Sequence, residues 1–377
     1  MSTDTPSIPE PLRILVAPDS FKGTATATQA AEYLAEGALS EDPGAEITLA
    51  PMADGGEGTA DTFPGQRITL PTTDAAGRLT EATYVFDREA KTAYIDVAAA
   101  SGLPAVADKP VPLTGDTYGT GVLIADAETR GAKRLVLCLG GSATVDGGTG
   151  ILVALGAEPL NAAGFSLPKG GAALIDLDNI DTAQLNIRAA ALEYILLTDV
   201  ISPATGELGA AWVYGPQKGA NPEEVKLLDA ALTRLCEVTG VNPETPGTGA
   251  AGALPVGLLW LSTLLHGSSE HIHLLPGAPL IARIRGLEEL IPASDLVITG
   301  EGALDEQSFQ GKVVGTLAKL AENTPATLAV AAGKINTELP RGIIGAELIE
   351  TQDVAEQLRE AGARLVRDYR RMSTVQG

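Results

Sequence analysis

A chain of 377 residues is long enough for about two domains, each burying its own core. A hydrophobic fraction of 45% excludes wholesale disorder, and only 4% aromatics leaves the core to Ala, Val, Leu and Ile. A net charge of −22 with no basic cluster argues against a nucleic-acid partner and an anionic membrane surface, but a few lysines and a divalent cation can still hold a small anion.

Met1 to Pro11 is rich in Ser, Thr and Pro, with no basic start and no apolar run. It is expected to be a flexible leader, and the chain to be cytoplasmic. Arg13 to Pro18 is a short apolar run of the form buried parallel strands take. A polar loop, Asp19 to Gly23, follows, and Ala27, Ala31, Leu34 and Ala38 then recur at helical spacing. Thr26 and Gln29 read as a capping box for that helix. A second strand, Glu46 to Pro51, runs into Asp54-Gly55-Gly56-Glu57-Gly58. Strand, loop, helix and strand in this order begin a doubly wound sheet.

Residues 67–90 alternate polar and apolar positions between turn residues, which predicts antiparallel hairpins. Leu135 to Leu139 is a strand entering the loop Gly140 to Gly150, and an apolar helix follows. Within that loop, Asp146 to Gly150 repeats the Asp-Gly-Gly-x-Gly pattern of Asp54 to Gly58. Ile195 to Thr198 is a strand ending at Asp199. Asn221, Pro222 and Glu224 supply an N-cap, a first-turn proline and a box partner for the next helix. Ala250 to Leu265 is the most apolar stretch, too short to span a bilayer and interrupted by Pro255. Toward the end, Asp295 to Thr299 is a strand and Gly300 to Gly311 a loop. Val313, Leu317, Ala318 and Ala321 mark a helix, Ala326 to Ala331 another strand, and Val354 to Arg371 a charged terminal helix. The fold class is α/β: a Rossmann-like doubly wound parallel sheet domain, 1–66 with 286–377, is interrupted by an inserted mixed α/β domain, 67–285. The active site is expected in the cleft between them.

Acidic residues follow predicted strands at Asp54, Asp146, Asp199 and Glu301, all but Asp199 with glycine neighbours, and Asp19 opens a fifth acidic loop. Ligands of open α/β sheets bind beyond the strand C-termini. Glycines there let the backbone approach phosphates, and carboxylates can hold Mg²⁺ together with phosphate oxygens. Lys22, Lys218 and Lys312 each sit beside a glycine and are candidate anion partners. No Walker A pattern occurs. Gly247 to Gly252 matches the dinucleotide fingerprint but follows a Pro/Gly-rich loop rather than a strand, so a phosphate nest suits it better than a nicotinamide site. His266, His271 and His273 are expected in surface or packing roles, because no other ligand pattern completes a metal site. Ser142 and Thr144, between glycines, suit phosphate binding, while no base motif supports a serine hydrolase. Cys138 and Cys236 read as buried free thiols.

Taken in order, these loops resemble the type 1 glycerate kinases. The motifs are Ala17-Pro18-Asp19-Ser20-Phe21-Lys22, Met52-Ala53-Asp54-Gly55-Gly56-Glu57-Gly58-Thr59, Gly140-Gly141-Ser142-Ala143-Thr144-Val145-Asp146-Gly147-Gly148 and Gly215-Pro216-Gln217-Lys218-Gly219-Ala220. Thr299-Gly300-Glu301-Gly302, Asp305-x-Gln307-Ser308 and Gly311-Lys312-Val313 complete the set. The resemblance implies a kinase that moves the γ-phosphoryl of ATP, with Mg²⁺, onto a hydroxyl of D-glycerate, giving 2-phosphoglycerate. The open alternatives are a 3-phospho product and a catalytically impaired relative that regulates by binding a sugar acid or nucleotide. Roles follow as expectations. Lys22 and Lys312 meet phosphate or the glycerate carboxylate, and Lys218 meets phosphate. Ser20, Gly140, Gly141, Ser142, Thr144, Gly300 and Gly302 bind substrate or phosphate. Asp199 is base or metal ligand, and Asp19, Asp54, Glu57, Glu301 and Asp305 are Mg²⁺ or hydroxyl ligands. The chain departs from the family pattern at Ala303, where arginine is common, at Val314, where proline is common, at Thr198, where cysteine is frequent, and in the Gly-Thr pair after Lys22.

Overall fold

The computed structural model describes residues 11–21, 23–309, 311–349 and 353–376, so Lys22 and residues 1–10, where a flexible leader is expected, lie outside the described residues. The chain divides into two compact units, one formed by the residues up to Asp54 together with those from Ala278 onward, the other by Gly55–Gly277.

The first unit is a five-stranded sheet. Its order is Ile344–Glu347, Thr327–Ile335, Leu296–Leu304, Arg13–Val16, Glu46–Leu49, and every pairing is parallel. Parallel strands are covered on both faces, which is why Ile14, Leu15 and Val16 are all buried although they alternate in direction. From Arg13–Val16 the chain winds outward to Glu46–Leu49, then returns on the other side at Leu296–Leu304. The two central strands therefore form a topological switch point, and ligands of such sheets bind beyond strand ends of this kind. The helix Ala27–Glu41 begins at Thr26, whose side chain and that of Gln29 make the expected capping box. It packs on the terminal helix Val354–Gln376 at very short range: a Cβ at Gly37 would lie 1.9 Å from Arg359 O, and one at Gly362 2.2 Å from Leu34 O.

The Gly300 segment differs from expectation. Instead of a loop, Gly300 to Leu304 continues the strand, with Gly300 paired to Ala331, Glu301 to Ala332 and Leu304 to Ile335. The reason is close packing rather than β propensity. A Cβ at Gly300 would stand 2.6 Å from Ala331 O and 3.0 Å from the Phe21 ring, so only a bare backbone fits there.

The second unit holds a six-stranded mixed sheet. Its order is Ile272–Leu275, Glu193–Leu197, Arg134–Cys138, Thr92–Asp96, Leu79–Asp87, Gln66–Thr73. The first four strands are parallel, and the hairpin expected over 67–90 supplies the antiparallel edge. A separate two-stranded ladder joins Glu158–Asn161 to Leu177–Asp181. The helix Pro222–Thr239 starts on the Asn221–Glu224 capping box. The helix Ala250–His266 passes through left-handed backbone at Ala251, Gly252 and Ala253, where Gly252 O accepts the Gly147 amide at 3.0 Å. No strand precedes it, which removes the structural context a dinucleotide fingerprint requires. No helix among the described residues is long and apolar enough to cross a membrane. Cys138 and Cys236 are buried and form no disulfide.

Candidate functional site

In the first unit, the candidate residues gather at the C-terminal ends of the two central strands. The Asp19 amide donates to Gly300 O at 2.8 Å, and Thr299 Oγ1 donates to Ala17 O at 2.9 Å, locking the two strand exits side by side. Asp19 then accepts the Ser20 amide at 2.6 Å, and Pro18 O accepts the amide of Met52, which leads the chain toward Asp54. Beyond the other strand, Ser308 Oγ donates to the Asp305 carboxylate, which also accepts the Ser308 amide at 3.1 Å. That turn delivers the chain to Gly311, at φ +103, and to Lys312 at the N-cap of the helix Val313–Ala321. The helix begins at Val313 without proline, and Val314 is fully buried beneath it.

Glu301 is the centre of this cluster. Burial, first of all, and the charges of Asp305 and Asp54 push its pKa up, against the Ser308 hydrogen bond and the Lys312 charge, which pull it down. Its Oε1 is buried and, among the described residues, has no hydrogen-bond partner. A carboxylate so placed favours a bound cation or proton. Gly302 and Ala303 are exposed on the same strand.

In the second unit, three segments converge at the ends of parallel strands. The Gly140 amide donates to Gly55 O at 3.1 Å, and a Cβ at Gly140 would meet Gly56 Cα at 2.6 Å. A Cβ at Gly55 would meet the Leu197 carbonyl at 3.1 Å, and one at Gly141 would lie 3.9 Å from Glu57 Oε2. Glu57, Gly140 and Gly141 are therefore brought together. Thr198 and the exposed Asp199 follow Leu197 directly.

Lys218 occupies this unit in a way the sequence does not suggest. It is fully buried, and its Nζ donates to Ser142 Oγ at 3.0 Å and to Thr144 O at 2.7 Å. Burial pulls its pKa down to about 7, against the attraction of Asp146. It braces the Gly140–Thr144 loop from behind. Thr144 Oγ1 is buried and, among the described residues, without a hydrogen-bond partner, so the loop keeps a donor in reserve.

Asp146 has a different task from the other acidic loop residues. It is completely buried and accepts from the Thr117 amide, Thr117 Oγ1, the Gly148 amide and the Gly150 amide at 2.8–3.3 Å. Its lone pairs are spent on the fold, which corrects its grouping with the ligand-binding carboxylates. Among the described residues no set of three or more His, Cys, Asp or Glu is arranged to hold a metal. His266 and His271 stack on each other at 3.7 Å, and His273 pairs with Glu193, in keeping with packing and surface roles.

Asp96 is the site-adjacent residue that sequence reasoning missed. It closes the strand Thr92–Asp96 and touches the Gly55–Ala60 segment. An acidic residue at a strand end is the signal already used for Asp199, but Asp96 lacks the glycine neighbours that drew attention to the others.

Fold and strand ends together define an α/β protein whose glycine loops, lysines and carboxylates suit an anionic ligand. Comparison narrows this to one family. The Glycerate kinase family model matches residues 14–372. A glycerate kinase of Halalkalibacterium halodurans is 38% identical over 332 residues, covering 85% of each chain. The glycerate 2-kinase of Escherichia coli K12 is 34% identical over 338 residues, covering 87% of each. The crystal structure of a protein assigned as glycerate kinase 2 from Salmonella typhimurium LT2 superposes with a TM-score of 0.79 at 32% identity, over 97% of this chain and 98% of that one. This chain belongs to the glycerate kinase family.

Proposed function

We propose that this protein transfers the γ-phosphoryl group of ATP to a hydroxyl of D-glycerate, giving 2-phosphoglycerate. The observation that carries the reading is the family match over 14–372, which takes in both residue clusters. Phosphoryl transfer asks a protein for positioning, charge neutralisation and one proton acceptor. Here the glycerate hydroxyl oxygen bonds to the γ-phosphorus as the bond to the β,γ-bridging oxygen breaks, and the hydroxyl proton passes to Asp199. Lys312 and Lys22 neutralise phosphate or carboxylate charge. The Gly141 amide and the unspent Thr144 hydroxyl cradle a phosphate, Gly140 lets the backbone approach it, and Lys218 holds that loop in shape. Asp19, Ser20, Gly300 and Gly302 line the first unit's strand ends.

Glu301, with one of Asp54 and Asp305, fits Mg²⁺, because the buried Glu301 Oε1 is a hard oxygen donor and Mg²⁺ needs only one or two protein carboxylates. When bound there, Mg²⁺ would take one or two of these carboxylates, complete its shell with phosphate oxygens and neutralise charge on the transferring group. Asp19 and Glu57 stand as further oxygen donors. The test is to incubate the pure protein with Mg-ATP and D-glycerate, following ADP release and the product by phosphorus NMR. A 2-phospho resonance is expected. A 3-phospho product would change the regiochemistry, and the absence of glycerate-dependent ADP would sink the kinase reading.

A further inference from the structure

The Gly55–Ala60 segment has little regular structure with which to hold itself. Gly55 and Gly58 stand in left-handed backbone, at φ +99 and φ +86, one turn closes from the Thr59 amide to Gly56 O at 3.2 Å, and a short 3₁₀ turn begins at Ala60. Apart from that local turn, the two amides that tie its far half to the sheet point at one side chain. Gly58 N donates to Asp96 Oδ2 at 2.8 Å, and Ala60 N donates to Asp96 Oδ1 at 2.9 Å. The near half is tied to the Gly140 loop through Gly55 O, and Glu57 lies between the two ties. We propose that Asp96 is a positioning residue for phosphoryl transfer, its two carboxylate oxygens fixing the Gly55–Ala60 segment so that Glu57 and the Gly140 loop meet the substrate in one arrangement. The inference rests on the reading above that Glu57 and the Gly140–Thr144 loop belong to the site.

The chemistry of the side chain supports this role. Among short side chains only a carboxylate offers two strong acceptors, so neither Asn nor Ser satisfies both amides. The cost is a buried charge. Asp96 is 8% exposed, and burial, first of all, raises its pKa to about 6 in spite of the Ala60 and Gly58 amides and the Cys138 thiol, which favour the ionised form. The other charged group facing it is Asp61, which raises it further. Below that pH one oxygen carries a proton and accepts its amide more weakly, so the hold on the segment loosens as the solution is acidified.

The experiment uses the full chain with Asp96→Asn, and Asp96→Ala as a second variant. Hydrogen exchange of the free protein reads the hold directly, and steady-state kinetics with Mg-ATP and D-glycerate over pH 5–9 read its use. In Asp96→Asn the peptide spanning Gly55–Asp61 should exchange about tenfold faster while the rest of the sheet is unchanged. Its kcat/KM should fall about 10²-fold, and the acid limb expected near pH 6 in the native protein should be absent. Unchanged exchange at this segment in a folded variant overturns the proposal. Faster exchange with native kcat/KM overturns it too. If the native protein releases no glycerate-dependent ADP, the kinase reading fails separately, and the exchange arm still decides whether Asp96 holds the segment.

Discussion

The pattern Asp-Gly-Gly-x-Gly occurs twice in this chain, and its two copies are used in opposite ways. At Asp146–Gly150 the carboxylate turns inward and accepts four hydrogen bonds from its own loop and from Thr117. At Asp54–Gly58 the first residue stands in the field of Glu301, while the glycines after it lie against Leu197 and Gly140. The glycines do similar work in both places, permitting left-handed turns and close backbone approach. What differs is the surroundings: Thr117 and the following short helix Thr149–Ala154 supply amides to Asp146, whereas Asp54 is grouped with other acids. A motif therefore specifies a backbone, and its neighbours decide what the carboxylate does.

Substitutions can break this comparison. The largest effect is expected for Asp146→Ala, which strands the buried Thr117, Gly148 and Gly150 amides. It should cost roughly 3–4 kcal/mol and lower the calorimetric midpoint on the order of 10 °C. A midpoint within about 2 °C of native would mean that the two copies do not differ as described. Asp199→Asn should act the other way, cutting kcat at least roughly 10²-fold while leaving the melt in place, if the exposed carboxylate is the base proposed above. Near-normal turnover would move the base role to another carboxylate. Asp54→Asn should lower kcat/KM about tenfold and raise the Mg²⁺ concentration at half-maximal rate. An unaltered Mg²⁺ dependence would take Asp54 out of the cation site.

The smallest effect concerns Lys218. Its folded pKa, about 7, lies below the ordinary 10.5, so between these values the unfolded chain binds more protons than the folded one. Stability contributed by this group therefore rises as pH climbs from 7 toward 10.5, by at most about 1.4 kcal/mol per pH unit, and is lost as pH falls through 7. Lys218→Met should flatten that slope in denaturant melts at pH 6.5, 8 and 9.5. An unchanged slope would show that the ammonium finds its charge compensated in the fold.

Local signals were legible wherever the chain obeys local rules. Thr26 with Gln29, Asn221 with Glu224, the 67–90 hairpin and the helix opening at Gly311-Lys312 all follow from spacing and residue type. The extension of the strand through Gly300-Glu301-Gly302-Ala303 was not legible, since two glycines and an acid argue against a strand and only the Ala331–Ile335 ladder overrides them. The clusters were legible as a set of acidic and glycine loops at strand ends. Their internal division was not, because Lys218 reaches Thr144 across 74 residues and Asp96 reaches Gly58 across 38. Pairings of that kind exist only once the sheets have assembled.

The order of strands in the first unit also sets a timetable for its birth. Arg13 is bonded to Asp295, 282 residues further on, and the strand it begins lies between Glu46–Leu49 and Leu296–Leu304. At a synthesis rate of about 5–20 residues per second, that strand waits roughly 14–56 s for its second neighbour to be made. The Gly55–Gly277 unit is continuous and can close as soon as its last strand has left the ribosome. The apolar Ile14-Leu15-Val16 run is thus the segment that chaperones have longest to find, and the first place where a slowed ribosome would turn newly made chains toward aggregation.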